Sequence, residues 1–410
     1  MLRLSDDRVI AFAIFLFALA VRLATVAWQA GEPISQADQS EYLALAQNIR
    51  FHGVFSYGAP HLWGAPGLLG STGPFLPTAS RAPLYPFFIA LLWWGQAPPI
   101  LQVRIAQAFL GAGVALLVYL TARPLLGRRT AVIASLGMSV APYSCQLVVP
   151  LVTETLFNFL LMLALWLWGG KRPFLAGLIL GIANLARAIL LPFIALLALT
   201  AMLFRFNRRA HAQAALAAVL VLAPWTIRNA VQLHAFIPVA ATGWGANVFL
   251  GTIDVPFSAG NSFIVFGQDR EFMTIIKTEP TAEAAEQKLM VAAMERIRSA
   301  PLYWFYVRLK QYPRLFTSSG NYLAPIIPLS RPALRIVYVL ATVAFLILAG
   351  WGFFLTRQCW RSLYAVAALP AFQAAVLFVG LNEERYSTSM VPMLLIFAGY
   401  AVSRLLPGKP

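Results

Sequence analysis

The sequence predicts an all-α polytopic membrane protein. Hydrophobic residues make up 60% of its 410 residues and charged residues only 11%, and mean hydropathy is +0.72. A soluble domain is nearer half apolar and a quarter charged. Apolar runs of about 20 residues, enough to cross a hydrocarbon core about 30 Å thick, recur along the chain. Lys and Arg gather in short clusters between these runs, where membrane topology places them. The net charge of +16 therefore supplies no broad basic face for a duplex, and no nucleic-acid partner is expected.

The first element is a span at 8–28. It is expected to be retained, because its apolar run exceeds that of a secretory signal and no clean A-x-A site follows. Further spans are expected at 103–123, 131–149, 153–169, 174–187, 189–204, 212–230, 334–356, 362–380 and 387–404, about ten in all. The fifth and sixth are short and share GLILGIANLARAILLPF, with Arg187 at the bend between them. With the N-terminus inside, the cytoplasmic ends hold Arg3 and Arg8; Arg123, Arg128 and Arg129; Lys171 and Arg172; Arg205, Arg208 and Arg209; Arg357 and Arg361; Arg404 and Lys409. Every short loop on that side is basic, as the positive-inside rule requires. Cys145 and Cys359 then fall on opposite sides of the bilayer, so no disulfide joins them, and no CxxC or His-Cys cluster marks a zinc site.

The chain thus divides into a first transmembrane helix (1–28), an outer loop (29–102), a block of helices (103–230), a second outer loop (231–333) and a closing block (334–410). The first loop opens with DQSEYLALAQNIRFHG, whose Tyr42, Leu45, Ala46 and Ile49 recur at helical spacing and fit a helix lying flat on the membrane. A Gly/Pro-rich passage, YGAPHLWGAPGLLGSTGPFLP, comes next. The apolar run in SRAPLYPFFIALLWWGQAPP is too short to span and reads as a re-entrant or interfacial helix, with Trp93 and Trp94 at headgroup level. In the second loop a helix starts after Pro280, with Thr281 as N-cap and Leu289, Met290, Ala293 and Ile297 on its apolar face. The aromatic and basic PLYWFYVRLKQYPRLF suits a helix on the membrane surface.

Ionised groups beside hydrocarbon need a reason, so the charges at the outer helix ends carry the functional reading. Asp38 starts the first-loop helix, where it serves as an N-cap or as a reactive carboxylate. Glu154, in VPLVTETLFNF, sits at the mouth of the third and fourth spans; it belongs to a helix's first turn or to a site. Arg81, Arg187, Arg228 and Arg385 all fall on the same outer face. Each alone could snorkel to headgroups, whereas together they offer guanidinium groups that bind phosphate through paired hydrogen bonds. Arg22, inside the first span, is expected to pair with an acid or a carbonyl. His52 and His61 lack a third ligand at defined spacing and read as interfacial histidines.

The ordered series of motifs is more specific than any one of them. It runs D-x-x-x-Y with G-V-F-S, R-A-P-L-Y-P, an outward Glu after the third span, L-A-R-x-x-x-L-L-P, P-W-T-I-R-N, F-I-P-V-A-A-T-G-W-G-A-N-V-F-L-G and E-R-Y-S. Over nearly its whole length the chain resembles the GT-C superfamily of polyprenyl-phosphate-dependent glycosyltransferases, in the branch of protein mannosyltransferases and lipid A aminoarabinose transferases. The resemblance implies a GT-C-like bundle with interfacial helices in both outer loops. It also implies sugar transfer at the outer leaflet of an inner membrane, from a polyprenyl-phosphate donor to a protein or glycolipid acceptor. Asp38 takes the position of the catalytic acid-base residue and Glu154 that of a second acidic site residue. Arg81 would face the donor phosphate, and Glu41, Tyr42, Tyr85, Arg187, Arg228, Asn229, Glu383, Arg385 and Tyr386 complete the substrate-binding candidates. The family often reads D-E where this chain has Asp38 and Gln39, which argues against a two-acid metal site. No cofactor is required, although a divalent metal is compatible with the resemblance. A transporter of lipid-linked sugars, or a ligase using a diphosphate donor, are the rival readings.

Overall fold

The computed structural model describes residues 2–34, 37–58, 74–255, 265–317 and 331–406. His61, Lys409 and residues 59–73 of the Gly/Pro-rich passage lie outside the described residues. Among those described there is no β-strand. Among the described residues, five helices are long and apolar enough to cross a membrane: α1 (Leu2–Trp28), α4 (Ile100–Leu126), α10 (Arg208–Leu233), α16 (Arg331–Leu355) and α17 (Trp360–Val379). Shorter apolar helices lie between them: α7 (Glu154–Gly169), α8 (Pro173–Ala186), α9 (Leu191–Leu203), entered through a 3₁₀ turn at Ala188–Leu190, and α19 (Val391–Leu405). Against one another these bury a core of small and aliphatic side chains, among them Ala18, Val118, Leu161, Ala183 and Ile396.

The run expected as one span at 131–149 is broken. It forms α5 (Arg128–Val140) and a short α6 (Pro142–Gln146), hinged at Ala141 with ψ 112°. Proline has no N–H to give the carbonyl of Met138, its partner four residues back. Arg22 supplies the missing donors: its guanidinium bonds the carbonyls of Met138 (3.1 Å), Ser139 (3.2 Å) and Ala18 (3.1 Å). The span arginine therefore meets carbonyls, one of the two expected partners. It reaches them past Gly111, where a Cβ would lie 2.5 Å from the guanidinium Nε. Arg22→Met should lower stability by about 2 kcal/mol, because a buried carbonyl left without a donor costs about 1–3 kcal/mol; unfolding in detergent micelles measures it.

At the far end of α1, Asp7 accepts bonds from Tyr119 (3.0 Å), Arg123 (3.1 Å) and Arg128 (2.8 Å), tying α1, α4 and α5 together. At 1.5 Å per residue, α1 carries the chain about 32 Å from this cluster to the first loop. There α2 (Ala37–His52) packs on α3 (Leu84–Leu91). Arg50 Nε donates to the Trp93 carbonyl (2.9 Å), and Trp93 meets Phe51 edge-on. Trp93 is thus 1% exposed, not at headgroup level as expected, whereas Trp94 is 76% exposed.

The second loop holds α11 (Trp244–Leu250), α12 (Arg270–Thr278), α13 (Ala282–Ser299), α14 (Pro301–Gln311) and α15 (Arg314–Thr317). Thr281 caps α13 as its sequence predicts, its side chain accepting from Ala284 N (3.2 Å). Phe249, Phe272, Leu289 and Ala293 form a small separate core there. Helix α14 turns Leu302, Tyr303, Tyr306 and Leu309 outward and buries Val307 and Arg308, the pattern of a helix lying in an interface. A last short helix, α18 (Glu384–Ser387), links α17 to α19.

Candidate active site

The N-terminus of α2, the Ser80–Ala82 segment, the mouth of α7, the break after α8 and the start of α18 meet around one cleft of about 190 Å³. Asp38, Tyr42, Arg81, Glu154, Arg187, Arg385 and Tyr386 line it together. Sites 38 and 42 are one helical turn apart and share a face, which is how the D-x-x-x-Y motif presents both.

Asp38 sits between two arginines. Arg81 Nη2 donates to one of its oxygens and Arg385 Nη1 to the other, each at 2.7 Å. Each arginine is also held at its Nε edge by a carboxylate of its own. Glu41 receives Arg81 Nε at 2.5 Å. Glu383 lies 3.1 Å from Arg385 Nε, close enough to pair though off the line of the N–H, which has no hydrogen-bond partner among the described residues. Glu41 and Glu383 thus stand behind the clamp. On the facing wall Arg187 and Glu154 pair at 2.8 Å, with the Glu154 side chain 3% exposed. Thr153, at the N-cap of α7, makes no side-chain cap bond. Arg187 is in extended backbone, φ −149° and ψ 118°, where α8 ends. Its guanidinium lies 5.2 Å from the Tyr386 ring and Arg385's 5.0 Å, so the ring is shared by two cations.

Burial pushes the Asp38 carboxyl up, but the Arg81 and Arg385 charges and their hydrogen bonds outweigh it and hold it well below the usual carboxylate range. Burial wins at Glu383, whose pKa is raised despite Arg385. The two have opposite signs of linkage. A depressed Asp38 adds stability that is present above its ordinary pKa of about 4 and lost as pH falls through the folded value. A raised Glu383 makes the folded state bind more protons, so stability falls as pH climbs from about 4 to its folded value. Glu383→Gln is expected to remove that decline from a melting-temperature profile; a parallel profile for both proteins would contradict the assignment.

Other sequence candidates lie outside the cleft. Tyr85 is fully buried behind Tyr42, its hydroxyl on Gln107 (2.8 Å). Arg228 donates to the Thr78 carbonyl (2.7 Å) and stacks over Trp225 (4.8 Å), and Asn229 holds the carbonyl of Ile237 (2.8 Å). Arg228 thus braces the segment that leads to Arg81, and Asn229 the chain around Ile237 and Val239. Gln39 also turns away, its side chain accepting from Leu151 N (3.0 Å). With both Asp38 oxygens taken by guanidinium groups, these residues do not fit a divalent metal; among the described residues no three His, Cys, Asp or Glu converge on one. Sequence reasoning passed over Thr242, Trp244 and Asn247, which line the cleft from α11 and the turn before it. Their only signal was membership of the quoted A-T-G-W-G-A-N stretch.

No protein-family model matches the chain, and no curated protein matches it. Among solved structures, the apo oligosaccharyltransferase of Archaeoglobus fulgidus aligns with 97% of this chain at 14% identity and a TM-score of 0.55. The oligosaccharyltransferase AglB of that organism, in complex with an inhibitory peptide and a dolichol-phosphate, aligns with 96% at 13% identity and a TM-score of 0.52. This chain spans 50% of the length of each. ArnT from Cupriavidus metallidurans, bound to undecaprenyl phosphate, gives a TM-score of 0.42 at 14% identity, over 95% of this chain and 77% of that one. At such identities the likeness is one of architecture, and the chain has the GT-C membrane fold that its ordered motifs imply.

Proposed function

We propose that the chain is an integral membrane glycosyltransferase that moves a hexosyl or pentosyl group from a polyprenyl-phosphate donor to a hydroxyl of a protein or glycolipid acceptor. The reaction takes place at the extracytoplasmic face of a bacterial inner membrane. One observation carries this reading: Asp38 lies between Arg81 and Arg385 in a cleft that the apolar Ile189, Val376, Leu377 and Val379 also line. That arrangement suits a ligand with an anionic head and a lipid tail, and the architecturally similar AglB structure holds a dolichol-phosphate.

The clamp supports a way for the base to be readied. An incoming phosphate competes with Asp38 for the terminal nitrogens of Arg81 and Arg385, while Glu41 and Glu383 keep hold of the Nε edges. Each contact that Asp38 gives up raises its affinity for a proton. The acceptor oxygen then attacks the anomeric carbon opposite the phosphate. The bond from that carbon to the phosphate oxygen breaks, its electron pair leaves on the lipid phosphate, and the acceptor proton passes to Asp38. The arginines stabilise the leaving charge best where water is excluded. A single displacement inverts the anomeric centre. Glu154, fixed by Arg187, orients the acceptor.

A transporter of lipid-linked sugars would instead pair ionisable residues between spans at mid-membrane; Arg22, within a span, is taken up by carbonyls. The test is incubation of purified protein with a panel of polyprenyl-phosphate sugars, reading lipid-phosphate release. Release from diphosphate donors only would favour a ligase. Turnover is expected to persist in excess EDTA; a rate that collapses and returns with added Mg²⁺ or Mn²⁺ would place a metal in the site.

A further inference from the structure

The wall of the cleft formed by α11 has no part in the chemistry above. Trp244 is 38% exposed and faces the cleft, as does Asn247 three residues on. Neither the indole N–H of Trp244 nor the side-chain amide of Asn247 has a partner among the described residues, and the Trp244 ring stacks on no other ring or cation there. Unengaged polar groups on a cleft wall are candidates for a ligand.

Their mounting is rigid. Glu286 of α13, 3% exposed, accepts from the backbone N–H groups of Gly243 (2.8 Å) and Ala246 (3.0 Å). Gly245 lies against α13 so closely that a Cβ would fall 2.0 Å from the Glu286 carbonyl oxygen. Thr242 donates to the Ser80 carbonyl, and Ala241 N to that of Ala79 (2.7 Å). The wall is therefore tied to the two residues that precede Arg81. On the other side the Asn247 backbone meets Gly380 at the end of α17, next to the apolar wall.

We infer that Trp244 and Asn247 form the subsite for the sugar ring of the lipid-linked donor and set its specificity. An indole face takes the C–H face of a pyranose or furanose as it takes other apolar surface. A primary amide both donates and accepts, matching ring hydroxyls. The position suits the role, since the wall is tied to the residues just before the arginine that meets phosphate, and the sugar is bonded directly to that phosphate. This inference rests on the proposed transferase reading, and its test separates the two.

Binding to the full-length protein in detergent is measured for bare undecaprenyl phosphate and for a panel of polyprenyl-phosphate hexoses and pentoses. Trp244→Ala is expected to weaken the preferred sugar-bearing lipid about tenfold, the range of an aromatic contact, and to leave bare lipid phosphate unchanged. Trp244→Phe should keep most of the affinity, and Asn247→Ala should flatten the ranking among sugars. Equal loss for both lipids, no loss for either, or an effect confined to the acceptor KM would each overturn the subsite alone. A wild-type protein that binds no lipid phosphate would overturn the transferase reading and the subsite with it.

Discussion

Replacing Asp38 with Asn is expected to cut sugar transfer by about 10²- to 10⁴-fold, the usual contribution of a positioned general base. The amide cannot take the acceptor proton, yet it is close in size to the carboxylate, so the cleft keeps its shape. Arg81 and Arg385 remain anchored at Nε by Glu41 and Glu383. The variant should therefore still insert, and it should bind bare lipid phosphate at least as well as wild type, since the competing anion is gone. Loss of turnover with retained or tighter phosphate binding is the signature of a base. If Asp38→Asn turns over normally, the acceptor is deprotonated elsewhere.

Arg187→Met is expected to cost about 3 kcal/mol of stability, because breaking a buried ion pair leaves a charge without compensation. Here that charge is Glu154, whose side chain is 3% exposed. Methionine replaces the length of the arginine stem but not its charge. Adding Glu154→Leu should recover most of the loss, as apolar pairs often replace buried ionic ones without penalty. Unfolding in micelles for the two single variants and the double gives the coupling between them. Additive losses would mean that the 2.8 Å contact does not hold α7 to the bend after α8.

Much of this architecture is legible in the sequence because its strongest signals are coarse. Apolar runs mark the helices, and basic clusters such as Arg123 with Arg128 and Arg129 mark one set of ends. Local chemistry was legible at Thr281, where a capping residue precedes an amphipathic run. It failed at Pro142, since hydropathy alone does not register a missing N–H. It failed too at Trp93, because a tryptophan between two loops looks the same whether it faces lipid or another helix. Within the site, Asp38 and Glu41 are both acids in one turn, and only the rotation of α2 decides which faces the cleft. Arg81 and Arg228 look alike in sequence; a guanidinium turned to Thr78 differs from one turned to Asp38 only in three dimensions. Trp244 was hidden by company, in a chain where aromatic residues are 13%.

The clamp around Asp38 has a consequence for the end of the catalytic cycle, on the proposed reading. Once the carboxyl hands its proton onward it becomes an anion again, with two cations at hand that the spent carrier still occupies. It competes for them, loosens the lipid phosphate and helps drive it back into the bilayer. A carboxylate that competes with its own product for the same two cations thus trades tight retention for rapid turnover.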